Sequence, residues 1–297
     1  MVGSKAKNAN KRLILVLFGG KGNQLFQIAF GVIAAKYFGL RVEVDTKFGF
    51  WFDKAFGRRL ALKSDTLVDY KLSLTGRLIV CWFVIKTKVF NFNCARAVRD
   101  YDDLYKFAFD GTRRGAAVGW GYYQDGHEIE KHRNIVVSDI LNIEFKNFLS
   151  QRVSSGKHDV ELIKVGLRLY EEVQDTTARM SHLGGLDLDQ FERELVRLIA
   201  SYPRCRCHIF TTDSAAIGDH FRNDSRFSVF DQSSGIRTAD QVIESLASCD
   251  ILVITNSSLY WWAGFYSFYV AAQPVLITRN FSMVNACIDG WKYIDEF

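Results

Sequence analysis

The sequence predicts an α/β protein with parallel sheets, built as two domains. Three observations lead there. Short apolar runs alternate with longer amphipathic ones along the whole chain, the pattern of strands joined by crossover helices. One strand-loop-helix-strand unit is complete within residues 13–45. The alternation then restarts cleanly after the small polar run Ser154-Ser155-Gly156-Lys157, which places a boundary between a domain of residues 1–155 and one of residues 156–297.

In the first domain, Leu13 to Phe18 is a continuous apolar run of buried-strand length, followed by the glycine loop Gly19 to Gly22 and a helical pattern from Asn23 to Phe38. Gly39 supplies a helix stop, and Leu40 to Asp45 is the next strand. Leu78 to Ile85, between Arg77 and Lys86, is apolar but far too short to span a bilayer. A buried strand or helix is expected there, with a peripheral membrane contact left open. Val118 to Tyr123 reads as a strand running into the polar loop Gln124 to His127.

In the second domain, Val160 to Tyr170 reads as strand, Asp189 to Ser201 as an amphipathic helix and Cys207 to Thr211 as strand. Ala215 to Phe221 is expected as helix and Phe227 to Phe230 as strand. Ala239 to Ser248 (helix), Ile251 to Thr255 (strand) and Leu259 to Ala272 (apolar helix) follow, and Pro274 to Thr278 closes the sheet. The whole is a near-complete doubly wound domain.

Composition narrows the function. Hydrophobic residues at 48% and charged residues at 24% exclude disorder. A net charge of +5 without a long basic stripe makes nucleic acid a poor partner, and suits a phosphate-bearing ligand or an anionic surface. The six cysteines lack both zinc-type spacing and the density of a disulfide scaffold, so free thiols in a reducing, cytoplasmic compartment are expected. Neither a signal peptide nor a transmembrane run is evident in the sequence.

Parallel sheets bind ligands where strands run into helices, which singles out three loops. Gly19-Gly20-Lys21-Gly22-Asn23-Gln24 can bring backbone amides and two side-chain amides to an anion, or can be a tight turn with a capping Asn. Thr211-Thr212-Asp213-Ser214 suits ribose or base recognition and equally an N-cap. Thr255-Asn256-Ser257-Ser258 can cradle a diphosphate or cap its own helix, whose Trp261 and Trp262 are expected in the core. Arg168, among Val165, Leu167 and Leu169, is either a surface arginine or a guanidinium matched to phosphate oxygens.

Taken together, these segments resemble glycosyltransferase family 11, the α-1,2-fucosyltransferases, over nearly the whole chain. The stretch Phe18 to Gln27 with Ala29-Phe30 is close to the family's N-terminal signature, and Gly121-Tyr122-Tyr123-Gln124 to its central element. Leu186 to Phe191, Ile209 to Asp213 and Thr255 to Gly264 resemble three further family segments, in the correct order. The family's His-x-Arg-Arg-x-Asp strand corresponds here to Gly166-Leu167-Arg168-Leu169-Tyr170-Glu171. The first arginine is kept as Arg168, while the histidine has become Gly166 and the second arginine Leu169.

The resemblance implies a GT-B architecture, two Rossmann-like domains facing across a donor cleft, with a last helix around Met283 to Phe297 packing back on the first domain. It implies inverting, metal-independent transfer of fucose from GDP-β-L-fucose to an acceptor glycan. The implied donor-binding residues are Gly20, Gly22, Asn23, Gln24, Arg168, Thr212, Asp213, Asn256, Ser257 and Ser258. Tyr123 and Gln124 would meet the acceptor, and Glu171, Glu172 and Asp175 are the candidate bases beside Arg168. Loss of the histidine leaves two alternatives open: a different nucleotide sugar, such as a galactosyl donor, or a non-catalytic binding protein.

Overall fold

The computed structural model describes residues 11–52, 58–86, 97–110, 115–145, 160–169, 186–221, 224–232, 238–279, 281 and 287–297. The chain divides into two compact units, Met1–Lys146 and Asn147–Phe297. The linker expected at residues 154–157 lies outside the described residues.

The first unit comprises β1 (Lys11–Val16), α1 (Lys21–Lys36), β2 (Arg41–Asp45), α2 (Leu74–Val84), β3 (Ala97–Val98), α3 (Tyr101–Phe109), β4 (Gly115–Gly119) and α4 (Gly126–Lys131), with shorter helical turns between them. Its strands are all parallel, in the order β2-β1-β4-β3. A central parallel strand is covered on both faces, and so Leu13 to Leu17 are apolar without alternation and at most 1% exposed. The buried Lys11 ammonium caps α3, donating to the carbonyls of Phe107, Ala108 and Asp110 at 2.8, 2.9 and 2.7 Å.

The second unit comprises β5 (Leu162–Leu167), α5 (Leu188–Ala200), β6 (Arg206–Thr211), α6 (Ser214–Ile217), β7 (Phe227–Asp231), α7 (Ala239–Ala247), β8 (Ile251–Ile254), α8 (Ser258–Tyr269), β9 (Val275–Ile277) and β10 (Lys292–Tyr293). The sheet is again wholly parallel, ordered β10-β9-β8-β5-β6-β7. The chain runs outward from β5 through β6 to β7, then crosses back to the other side of β5 and continues through β8. That is the doubly wound order of dinucleotide-binding sheets. The core joins Ile163, Val165, Ile209 and Val253 of the sheet to Phe191, Leu195, Leu198 and Ile199 of α5, whose spacing is one helical face. Trp261 and Trp262 are fully buried, as expected for α8.

Four expectations need correction. The strand read as Val118 to Tyr123 ends at Gly119, because the chain turns through Tyr123, which has a φ of 53°. The strand read as Val160 to Tyr170 is Leu162–Leu167. It stops when the Arg168 amide donates to the Thr255 hydroxyl instead of to a neighbouring strand. The helix read as Ala215 to Phe221 ends at Ile217, where Gly218 follows. The expected last helix is reduced, among the described residues 287–297, to a single 3-10 turn at Ile294–Glu296. Lys292 and Tyr293 instead pair with Leu276 and Ile277, so β10, and not residues 274–278, forms that edge of the sheet. The five described cysteines are free, and Cys205, Cys207 and Cys249 are buried.

Candidate functional site

Each sheet has one place where the chain reverses its direction of winding, and in parallel sheets the crevice that takes ligands lies at that place, at the carboxyl ends of the strands. In the second unit this place lies between β5 and β8, and Arg168 sits at its rim. The Arg168 amide donates to Thr255 Oγ1 at 2.9 Å, and Thr255 Oγ1 in turn donates to the Gly166 carbonyl at 3.1 Å. From the side chain, Nη1 donates to Thr212 Oγ1 at 2.9 Å. One arginine thus joins the ends of three adjacent strands, β6, β5 and β8. The guanidinium is half-buried, and its planar geometry is of the kind that phosphate oxygens match.

Beside it, Asn256 and Ser257 are buried to 7% and 8% exposure and lead into α8. Ser257 holds the N-cap position with extended backbone, and its hydroxyl makes no capping bond; the self-capping alternative for this residue is therefore not realised. Ser258 opens the helix, whose amino end carries partial positive charge. The loop after β6 follows the cap alternative: Asp213 Oδ1 accepts from the Ala216 amide at 3.0 Å, while its own amide donates to Thr211 Oγ1 at 3.2 Å. Ser214 Oγ donates to Asp231 Oδ2 at 2.9 Å and ties that loop to β7.

Gly166, where the resemblance leads one to expect a histidine, has no room for a side chain. A Cβ on Gly166 would lie 2.8 Å from Cγ of Tyr260, which is 1% exposed, so the strand accepts only glycine where that ring lies. Tyr260 donates its hydroxyl to Gln232 Oε1 at 3.2 Å, and Gln232 Nε2 is buried without a partner among the described residues. Sequence reading missed both residues as site candidates. Their signal is the pairing of a lost side chain on one strand with a bulky ring one turn into the facing helix.

In the first unit the crevice lies between β1 and β4, and it brings together two segments singled out in the sequence. Gln124 Nε2 donates to Asn23 Oδ1 at 2.8 Å. Gln27 accepts from the Phe18 amide and donates to the Gly121 carbonyl, each at 3.1 Å. Gly19 makes the turn at a φ of 79°, and Gly20 is the N-cap of α1, with Gly22 buried in its first turn.

Two expected ligands there are corrected. Gln24 is fully buried, and its amide is consumed by the backbone: Nε2 donates to the Gly19 and Arg59 carbonyls and Oε1 accepts from the Ala61 amide, all at 2.8 Å. Tyr123 is 6% exposed, stacks on Phe30 at 3.8 Å and donates to the Val98 carbonyl at 2.9 Å; burial pushes its hydroxyl well above the usual tyrosine pKa. Its neighbour Tyr122 is instead 44% exposed and lies 4.8 Å from Phe18, which stacks on Trp120 at 5.5 Å. An exposed aromatic ring of this kind offers a face on which a sugar ring can stack.

Lys21 makes no phosphate clamp. Its ammonium is buried, donates to the Ala61 carbonyl at 2.7 Å and pairs with the fully buried Glu144. Glu171, Glu172 and Asp175 lie outside the described residues. Among the described residues of the second unit, Asp189, Glu192 and His220 offer three ligand atoms within 4.8 Å of one another, but His220 Nδ1 already bonds Glu192 Oε2 at 2.9 Å. A cavity of about 470 Å³ lined by Glu161, Leu162, Arg204, Arg206 and His208 opens at the amino ends of β5 and β6, the opposite edge from Arg168. Parallel sheets seldom take ligands there.

No family model matches this sequence, and no curated protein does. The solved structures similar to it include a mutant FUT1 of Arabidopsis thaliana in complex with GDP, at a TM-score of 0.48 and 11% identity over 90% of this chain and 70% of that one. Another is the NodZ α-1,6-fucosyltransferase soaked with GDP-fucose, at 0.43 and 11% over 86% and 92%. The ADP-heptose LPS heptosyltransferase II of E. coli is similar at 0.41 and 9% over 95% and 92%.

Proposed function

We propose that this chain is a glycosyltransferase that transfers fucose from GDP-β-L-fucose to a hydroxyl of an acceptor glycan, with an α-1,2 linkage to galactose as the first specificity to test. The observation that carries this reading is Arg168, anchored to Thr255 and Thr212 at the winding reversal of a dinucleotide-type sheet, beside the amino end of α8. A guanidinium and a helix terminus converging there suit a diphosphate that leaves with growing negative charge. The donor is assigned to the second unit, as in a GT-B enzyme, and Tyr122 with the Asn23–Gln124 pair to acceptor contacts on the first.

On this reading the acceptor oxygen attacks the anomeric carbon as the bond to the diphosphate breaks. The diphosphate takes that electron pair, and a carboxylate among Glu171, Glu172 and Asp175 takes the hydroxyl proton. The configuration inverts, and no metal is required, so transfer should survive EDTA.

The deciding experiment is thermal stabilisation by GDP, GDP-fucose and UDP-sugars, followed by transfer with Arg168→Ala. Losing one preorganised contact to the leaving group costs roughly a hundredfold in rate. Stabilisation by GDP, and a loss of that order in a variant that stays folded, are expected. Stabilisation by a UDP-sugar alone would favour a galactosyl-type donor, an alternative motivated by the ring of Tyr260 over Gly166. Binding without hydrolysis or transfer would favour a non-catalytic role.

A further inference from the structure

We propose that the outward face of α2 docks on an anionic membrane surface. This helix is apolar on both sides, which is unusual for one lying at a surface. Inward, Val80, Phe83 and Val84 pack with Ile14, Val16 and Val118 of the first unit's core. Outward, Leu74, Leu78, Trp82 and Ile85 are 74%, 64%, 58% and 43% exposed. Their spacing of four, four and three residues places them in one continuous stripe, where isolated exposed apolar residues would need no explanation.

The charges around the stripe choose the partner. Residues 74–85 contain no acid, and the nearest in sequence, Asp65 and Asp69, belong to the preceding turn. Lys71 and Arg77 are exposed, and the Lys86 ammonium lies 5.0 Å from the centre of the Trp82 ring. Tryptophan at the depth of lipid headgroups, with cations reaching to phosphates, is the arrangement of interfacial helices. A second copy packed on the same face would set these cations against their own kind, whereas a layer of anionic headgroups complements them. At 11 residues the helix is too short to cross a bilayer, and no described helix is long and apolar enough to do so; it would lie in the plane of the interface. The proposal is independent of the transferase assignment, since neither Arg168 nor either crevice enters it.

The test is co-sedimentation of the full chain with vesicles of equal parts phosphatidylglycerol and phosphatidylcholine, against vesicles of phosphatidylcholine alone. Preferential binding to the anionic vesicles is expected. Leu78→Ser with Trp82→Ser should weaken it by more than roughly tenfold, since two apolar side chains no longer enter the interface. Arg77→Glu with Lys86→Glu should weaken it by roughly fivefold or more per charge and abolish its salt dependence. Circular dichroism confirms that each variant is folded; all four side chains are at or near the surface. Failure to sediment with anionic vesicles, or equal binding by folded Leu78→Ser/Trp82→Ser protein, overturns the proposal. So does a dimer in vesicle-free solution that the same variant dissociates, because the stripe then serves a second copy.

Discussion

The two crevices share a topology and differ in what their polar groups do. At β1/β4 the amides of Gln24 and Gln27 bond to backbone, and Gln124 bonds to Asn23, so most of the polar chemistry holds the loops themselves, while aromatic surface at Tyr122 is left open. At β5/β8 a guanidinium, hydroxyls and a helix start converge on one rim. On the proposed function, the first would meet a sugar ring and the second a departing anion. In the glycine-rich loop of the first unit the lysine is locked in a buried pair, whereas the arginine of the second unit lies half-buried at a strand end.

The sharpest way to break the contrast is to remove that lock. Lys21→Met leaves the fully buried Glu144 side chain without its partner ammonium, and should destabilise the first unit by about 3–5 kcal/mol in urea unfolding. If Lys21 instead serves a phosphate, the variant keeps its stability and loses ligand affinity. Arg168→Ala is the mirror experiment: a rate loss of roughly a hundredfold with little change in stability.

Third in size is Gly166→Ala, whose new methyl meets the fixed Tyr260 ring and should cost about 1–3 kcal/mol. A neutral result would mean that the ring moves. Tyr122→Ala should raise the acceptor KM while leaving donor binding unchanged, an effect of about 0.5–1.5 kcal/mol.

The smallest effect is a pH dependence confined to the first unit. Burial holds His132 below its ordinary pKa of 6.5, with Glu128 pulling it partly back. The unfolded chain therefore binds the proton more readily than the native one. Stability is complete above 6.5 and falls as the pH drops through the lowered native value. Urea midpoints should decline as the pH falls from 6.5 towards that lowered value, and His132→Asn should flatten the decline.

Much of this was legible beforehand. The strands β1, β2 and β5 to β9, the helix after the glycine loop and the buried Trp261-Trp262 pair follow from apolar runs and helical spacing, because periodicity is a local property that survives folding. Arg168, Asn256 and Ser257 were expected at strand ends, and they follow the strands Leu162–Leu167 and Ile251–Ile254. What escaped was occupancy. Gln24 and Tyr123 have the chemistry of ligands, and their partners, Arg59 with Ala61 and Val98, lie 35, 37 and 25 residues away. The C-terminal strand escaped for a related reason: two residues carry no period, and only the open edge of β9 makes them a strand.

By itself, then, the sequence determined the two parallel α/β units, the glycine turn and the places where strands hand over to helices, since each depends on neighbours within a few residues. The tertiary structure decided which polar groups remain available to a ligand, that a tyrosine ring fills the space above Gly166, and that one side of α2 is left outside the core. Those outcomes depend on which distant atoms arrive at a given point, and hydrogen bonding and close packing at such a point are settled only when the sheets assemble.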